Sequence, residues 1–370
     1  MLFRGKVWGG VVLALVAGLS LPVAAEEPTE SYERIVSRAI DYLGSKAQAA
    51  DGSYNAPAGP GVTALVTTAL LRHGRSPADP IVAKSLKYLE GFVREDGGIY
   101  GPDSNYKNYE TCLAILCFSE ANRNGKYDKL IAAADRFVKG IQWDETEGKQ
   151  ESDFEYGGAG YGRHKRPDLS NTAFLVDALK AAGNDENSEA MQRALLFVSR
   201  CQNLETEYNT TPFAAKNPDG GFYYTPAAGG SSQAGETETG GLRSYASMTY
   251  AGLKSMIYAG VKEDDPRVKA AVSWLKKNYD LDSNPGMGSS GLYYYYNTFA
   301  KALAAKGEDK FVDASGVAHD WRKELVEALA KRQRADGSFV NEDPRWMEGD
   351  AALSTGYALL ALSYAKPAAK

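Results

Sequence analysis

Two kinds of hydrophobic pattern alternate along the chain. The stretch P-I-V-A-K-S-L-K-Y-L-E-G-F-V, residues 80–93, puts Val82, Leu86, Leu89 and Val93 on one stripe at helical spacing, while Lys84, Lys87 and Glu90 face elsewhere. This predicts an amphipathic helix with one buried face. Asp79-Pro80 ahead of it, and Asp265-Pro266 ahead of a similar run, supply a side-chain acceptor for free N–H groups and then a residue with preset backbone angle, which marks a helix start. The runs that follow these helices are mostly small and apolar all round, as in G-V-T-A-L-V-T-T-A-L and L-S-T-G-Y-A-L-L-A-L. They predict helices buried on every side. The unit is therefore an outer, half-exposed helix followed by an inner, buried one.

Six inner segments align in one register, anchored on Thr63, Thr111, Thr172, Thr249, Thr298 and Thr355. Six residues after the anchor stand Ala69, Cys117, Ala178, Ser255, Ala304 and Ala361, small in every copy, as close packing against two neighbours requires. One hairpin cannot bury both faces of its inner helix, so the units must stack. The first and last copies are as apolar as the middle ones and lack the polar caps of an open array. The expectation is an all-α fold, an (α/α)6 barrel or toroid of six helical hairpins with the inner helices around a central cavity.

The turns inside the hairpins repeat as well. Gln48 to Tyr54 and Gln333 to Phe339 share Q-x-x-D-G-S-aromatic, with Asp96-Gly97-Gly98 and Asp219-Gly220-Gly221 as variants. Glycine accepts the left-handed conformation, Asp bonds the turn backbone and the aromatic packs back on the hairpin, so these residues read as structural.

These repeats and turns resemble the squalene cyclase and protein prenyltransferase superfamily, whose members are alpha/alpha toroids. The resemblance spans nearly all of residues 26–370, taken as a single domain. It implies a fold more than an activity. Cyclases of this kind that protonate an alkene or epoxide carry D-x-D-D-T-A at the start of an inner helix, with the middle Asp as acid. The matching residues here are Asp168-Leu169-Ser170-Asn171-Thr172-Ala173, so a hydroxyl stands in the acid's place and Asp168 reads as a helix cap. Two residues before the other anchors stand Gly61, Tyr109, Ser247, Tyr296 and Leu353, none a carboxylate. The zinc of the prenyltransferases needs Asp, Cys and a distant His; Glu110-Thr111-Cys112 offers a carboxylate and a thiol, but the last inner segment has no His. The Cys-Gly-Glu-Gln of thioester domains is missing too. No metal and no cofactor is expected.

Composition narrows the setting. Residues 1–25 fit a secretory signal: Arg4 and Lys6, an apolar run from Val7 to Val23, and a small-residue cleavage site before Glu26. Its removal takes the formal charge from −5 to −7. No basic block suggests nucleic acid as a partner, and no further segment is long and apolar enough to cross a bilayer. A secreted or periplasmic protein is expected. Cys112, Cys117 and Cys201 read as small buried residues without a disulfide framework.

The segments leading into the inner helices are rich in tyrosine and polar groups, and these would ring one mouth of the cavity. Tyr109, Glu110, Tyr156, Tyr161, Tyr245, Tyr294, Tyr296 and Trp346 are the candidate lining residues. Such a rim suits an isoprenoid-like lipid, a glycan or a peptide. Two function classes follow. One is a ligand-binding or scaffold protein lacking the cyclase acid. The other is an enzyme on the same cavity, a polysaccharide lyase or hydrolase or a divergent cyclase or prenyltransferase, using Asp168, Glu238, Asp350, His164 or Arg243.

Overall fold

The computed structural model describes residues 1, 2, 5, 28–162 and 166–367. The expected signal segment lies almost wholly outside the described residues. Six hairpins follow one another. Their outer helices are α1 (Pro28–Tyr42), α3 (Pro80–Glu90), α5 (Asp128–Lys139), α7 (Glu189–Arg200), α9 (Pro266–Lys277) and α11 (Trp321–Ala330). The inner ones are α2 (Pro60–Arg72), α4 (Lys107–Ala121), α6 (Leu169–Ala181), α8 (Ala246–Tyr258), α10 (Leu292–Lys306) and α12 (Ala351–Tyr364). Each inner helix packs on the next, and α12 packs back on α2, so the array is a closed (α/α)6 toroid. Two short antiparallel strands, Phe311–Val312 and Ala318–His319, interrupt the link from α10 to α11.

The repeated residues build the joints. Each turn glutamine donates to a carbonyl of the next outer helix: Gln48 to Ile81 in α3 at 2.6 Å, Gln142 to Ala190 in α7 at 3.0 Å, Gln202 to Arg267 in α9 at 2.8 Å. The last of them, Gln333, reaches Ile35 in α1 at 2.9 Å and so closes the ring. Arg38 of α1 reinforces this seam by donating to the carbonyls of Arg334 and Ala335. The turn glycine there must be small: Gly337 has φ +92° and an added Cβ would meet the Arg38 carbonyl oxygen at 2.3 Å.

The anchor threonines hold each turn onto its inner helix. Thr63, Thr111, Thr172, Thr249 and Thr355 accept the backbone N–H of Tyr54, Ile99, Ala159, Phe222 and Phe339 at 2.9–3.1 Å. The fifth copy departs from the expected register. Thr298 bonds within its own helix to Tyr295, while Tyr296 reaches the preceding turn through its hydroxyl on the Leu281 carbonyl at 2.6 Å. The true equivalent is thus Tyr296, and the small residue six further on is the buried Ala302 instead of the half-buried Ala304.

Candidate functional site

The N-terminal ends of the inner helices surround a cavity of about 810 Å³. Two residues before the anchors, Gly61, Tyr109, Ser170, Ser247 and Leu353 line it. In α10 the corrected register brings Tyr294 to the same level, and Tyr296 points to the outer turn instead. Tyr161, Tyr245, Glu110 and Trp346 also line the cavity. Tyr156 does not: its hydroxyl donates to Glu145 at 2.9 Å on the outer side of the third hairpin.

The floor is aromatic. Tyr109 meets Phe174 edge to face at 5.0 Å between ring centroids, Phe174 lies 6.2 Å from Tyr294, and Tyr294 lies 5.9 Å from Tyr357. The circuit closes where the Tyr357 and Tyr109 hydroxyls share a hydrogen bond of 3.2 Å. Ser170, in the acid's place, hydrogen-bonds the Tyr294 hydroxyl at 3.0 Å. Burial pushes the Tyr109 hydroxyl up to about 12, and burial raises Tyr294 and Tyr357 as well, so this floor is uncharged at neutral pH.

Further along the lumen, toward the C-terminal ends of the inner helices, polar and charged side chains follow. Asp177 of α6 takes Lys254 of α8 at 2.7 Å and Lys301 of α10 at 2.6 Å, all three buried. Arg72 of α2 pairs with Glu120 of α4 at 2.7 Å and donates to the Tyr364 hydroxyl of α12 at 2.5 Å. Burial lowers Lys254 to about 8, opposed by the Asp177 carboxylate, which itself is held below the usual carboxylate range by the two ammonium groups despite its burial.

Three buried carboxylates surround the cavity. Asp168 is the N-cap of α6; one oxygen accepts the Asn171 N–H at 2.9 Å and the other the Asn171 side-chain amide at 2.8 Å. Burial raises it to about 6, with hydrogen bonds from Asn171 and Tyr224 pulling the other way. Glu110, in the first turn of α4, accepts the Gly101 N–H at 3.0 Å and is raised by burial. Glu348, which the sequence reasoning missed, accepts the N–H groups of Tyr294 at 2.8 Å and Tyr293 at 3.1 Å and the Asn341 amide at 2.7 Å. It thereby caps α10 from the loop of the sixth hairpin, a long-range role that no local spacing announces.

The remaining candidates do not converge on this space. Asp350 is the N-cap of α12, accepting the Leu353 N–H and the Asn55 amide. Glu238 and Arg243 are exposed on the segment before α8, where Arg243 donates to the Glu236 carbonyl. His164 lies outside the described residues. Among the described residues no group of three His, Cys, Asp or Glu could hold a metal ion. Cys112 is buried, donates to the Asn108 side-chain oxygen at 3.4 Å and has its thiol pushed up by burial, the opposite of what zinc ligation needs.

Above the floor the mouth is aromatic too. Tyr106 meets Tyr161 edge to face at 5.3 Å. Trp346 and Met347 have positive φ, 54° and 66°, and each is 43% exposed. Arg345 stacks over the Trp346 ring at 4.2 Å and donates to Gln233 at 2.6 Å, tying the loop of the sixth hairpin to the long insertion before α8.

Residues 49–225 match the family model described as squalene-hopene cyclase C-terminal domain. The chain is an (α/α)6 toroid, and over these residues, just under half of its length, it is similar to that family. No curated protein sequence matches it. Among solved structures it is similar to a variant of the type II terpene cyclase MstE from Scytonema in complex with geranylgeranyl dihydroxybenzoate, its substrate, with 14% identity, TM-score 0.56, and 92% of this chain and 99% of that one covered. A second variant, in complex with the product merosterolic acid A, covers 92% of this chain and 98% of its own at 14% identity and TM-score 0.55. A glycosyl hydrolase of family 88 from Bacteroides vulgatus aligns at 12% identity and TM-score 0.51, over 91% of this chain and 99% of that chain. At these identities the likeness is one of fold.

Proposed function

We propose that this chain is an exported ligand-binding toroid that holds an isoprenoid-like lipid in its central cavity and does not cyclise it. The observation that carries the reading is the aromatic floor of Tyr109, Phe174, Tyr294 and Tyr357 under a cavity of about 810 Å³. That volume lies within the range of about 300–1,000 Å³ usual for small-molecule sites, and apolar ring faces favour a bulky hydrocarbon over a glycan, which needs many converging polar groups.

Protonating an alkene requires a carboxylic acid aimed into the cavity and kept neutral. At the level where the family places it, the chain offers Ser170 bonded to Tyr294. Asp168 has both oxygens engaged by Asn171, Glu348 has both engaged at the start of α10, and Glu110, although it lines the cavity and is raised by burial, stands on α4 away from the Ser170 position and accepts the Gly101 N–H. Glycan cleavage would need two free carboxylates facing one space, whereas Glu238 is exposed, Asp350 caps a helix and, of the acidic residues lining the cavity, Glu348 is committed to the start of α10 and Asp103 is exposed.

Thermal-shift titration of residues 26–370 against linear and cyclic isoprenoids, oligosaccharides and peptides tests the reading, because a ligand of the folded state raises the melting temperature. A dose-dependent rise with the isoprenoids alone is expected. A rise with oligosaccharides only would reject it. Export is tested separately by locating the protein and measuring its mass in cell fractions; a cytoplasmic, full-length product would reject that part.

A further inference from the structure

We infer that the ligand selected by this cavity carries a cationic head, an ammonium or similar soft cation, on its apolar body, with Glu110 as the counter-charge. The inference rests on the lipid-binding reading and specifies the chemistry of the ligand's polar end. Among the described residues lining the cavity three are acidic, Asp103, Glu110 and Glu348, and none is Lys or Arg. Asp103 is exposed, and Glu348 is committed to the N–H groups of α10. Glu110 is different. It is 2% exposed, its Oε2 accepts the Gly101 N–H, and the Ser104 hydroxyl also bonds its carboxylate, so no helix end claims it.

The other oxygen, Oε1, lies over Gly59, where an added Cβ would come within 2.4 Å of it. Gly59 has φ +82° and lines the cavity too, so only glycine there leaves room for this oxygen beside the cavity wall. The Arg94 guanidinium also acts on Glu110, but it lies outside the lining and is engaged by the Tyr100 carbonyl and ring. A carboxylate in a poorly hydrated aromatic space attracts a cation strongly, and the π faces of Tyr106, Tyr109 and Tyr161 add to the attraction. Among the described lining residues an anionic head would meet acidic side chains and no Lys or Arg. A neutral hydroxyl could still donate to Glu110, but without the ring contribution.

The test compares three ligands that share one geranylgeranyl chain and differ only in the head: trimethylammonium, hydroxyl and carboxylate. Binding to the unmodified chain is measured by calorimetry at neutral pH, and repeated with Glu110→Gln. The expected order is ammonium, then alcohol, then acid, with about tenfold or more between the first two. Glu110→Gln should abolish most of that gap while leaving the alcohol within about twofold, which also excludes general attraction of a cation to an acidic protein. An acid that binds as tightly as the ammonium, or a gap that survives Glu110→Gln, overturns the inference and leaves the lipid reading standing. If none of the three binds, both fall together.

Discussion

The hydroxyls of Tyr109 and Tyr357 meet at 3.2 Å although their helices, α4 and α12, are not neighbours in the ring. Helix α2 packs between them, and at this level it carries Gly61, against which the Tyr109 ring lies. Replacing Tyr357 with Phe keeps the ring and removes the shared hydrogen bond. Urea unfolding should show a loss of about 0.5–1.5 kcal/mol with lipid affinity nearly unchanged. Tyr357→Ala, by contrast, should weaken lipid binding about tenfold or more, since it removes part of the aromatic floor. Equal affinities for the two variants would mean that the floor is not the binding surface.

The seam of the toroid gives a second expectation. Gly337 and Gly74 both have positive φ, +92° and +83°, but only Gly337 has the backbone of another helix, that of Arg38, against it; nothing lies within 4 Å of a Cβ at Gly74. Gly74→Ala should cost about 1 kcal/mol from backbone strain alone. Gly337→Ala should cost clearly more, because α1 must move away from the last turn. Similar losses in chemical denaturation would contradict closure through this contact.

In the lumen, the two cations on Asp177 are not equivalent to their shared anion. Asp177→Asn leaves Lys254 and Lys301 buried without a counter-charge and should destabilise the fold by about 3–5 kcal/mol. Lys254→Met leaves the Asp177–Lys301 pair intact, removes a buried ammonium already depressed to about 8, and should be close to neutral. A Lys254→Met variant as unstable as Asp177→Asn would contradict this arrangement.

Asp168 makes a pH prediction whose sign follows from burial. Its carboxyl is raised from 3.8 to about 6 in the folded chain. Between those values the folded state holds a proton that the unfolded state has released, so this group's contribution makes stability fall as pH rises through that window. Asp168→Asn keeps an oxygen to cap α6 and loses the titration. The variant, measured beside the parent by urea unfolding at several pH values, should gain stability relative to it as pH rises from about 4 to about 6. A constant difference between the two would show that Asp168 titrates alike in both states.

The toroid was legible in the sequence because its unit repeats and because the apolar ends leave no solvent-facing cap. The lumen side of each inner helix was legible from the register, with one failure. The run Tyr293 to Tyr296 covers every direction around a helix, and Thr298 imitated the anchor, so the phase shows only in the structure, where Tyr294 lines the cavity while Tyr295 and Tyr296 turn to the Asp280 and Leu281 carbonyls. The function of the anchor threonines was not legible either, since their partners lie 9 to 27 residues away in turns of varying length. Glu348 was hidden for a similar reason: it completes a helix that begins 56 residues earlier in the chain, at Leu292. Asp168, in contrast, caps α6 as Pro167-Asp168 ahead of the apolar run suggests.

The central claim is that the cavity holds an isoprenoid without protonating it. The most direct measurement is to saturate the protein with a linear isoprenoid alcohol, extract it after prolonged incubation and identify the recovered compound by gas chromatography with mass spectrometry. The account predicts stoichiometric retention of the ligand through gel filtration and its recovery unchanged. Recovery of a cyclised product would contradict it, and so would failure of the protein to retain the lipid.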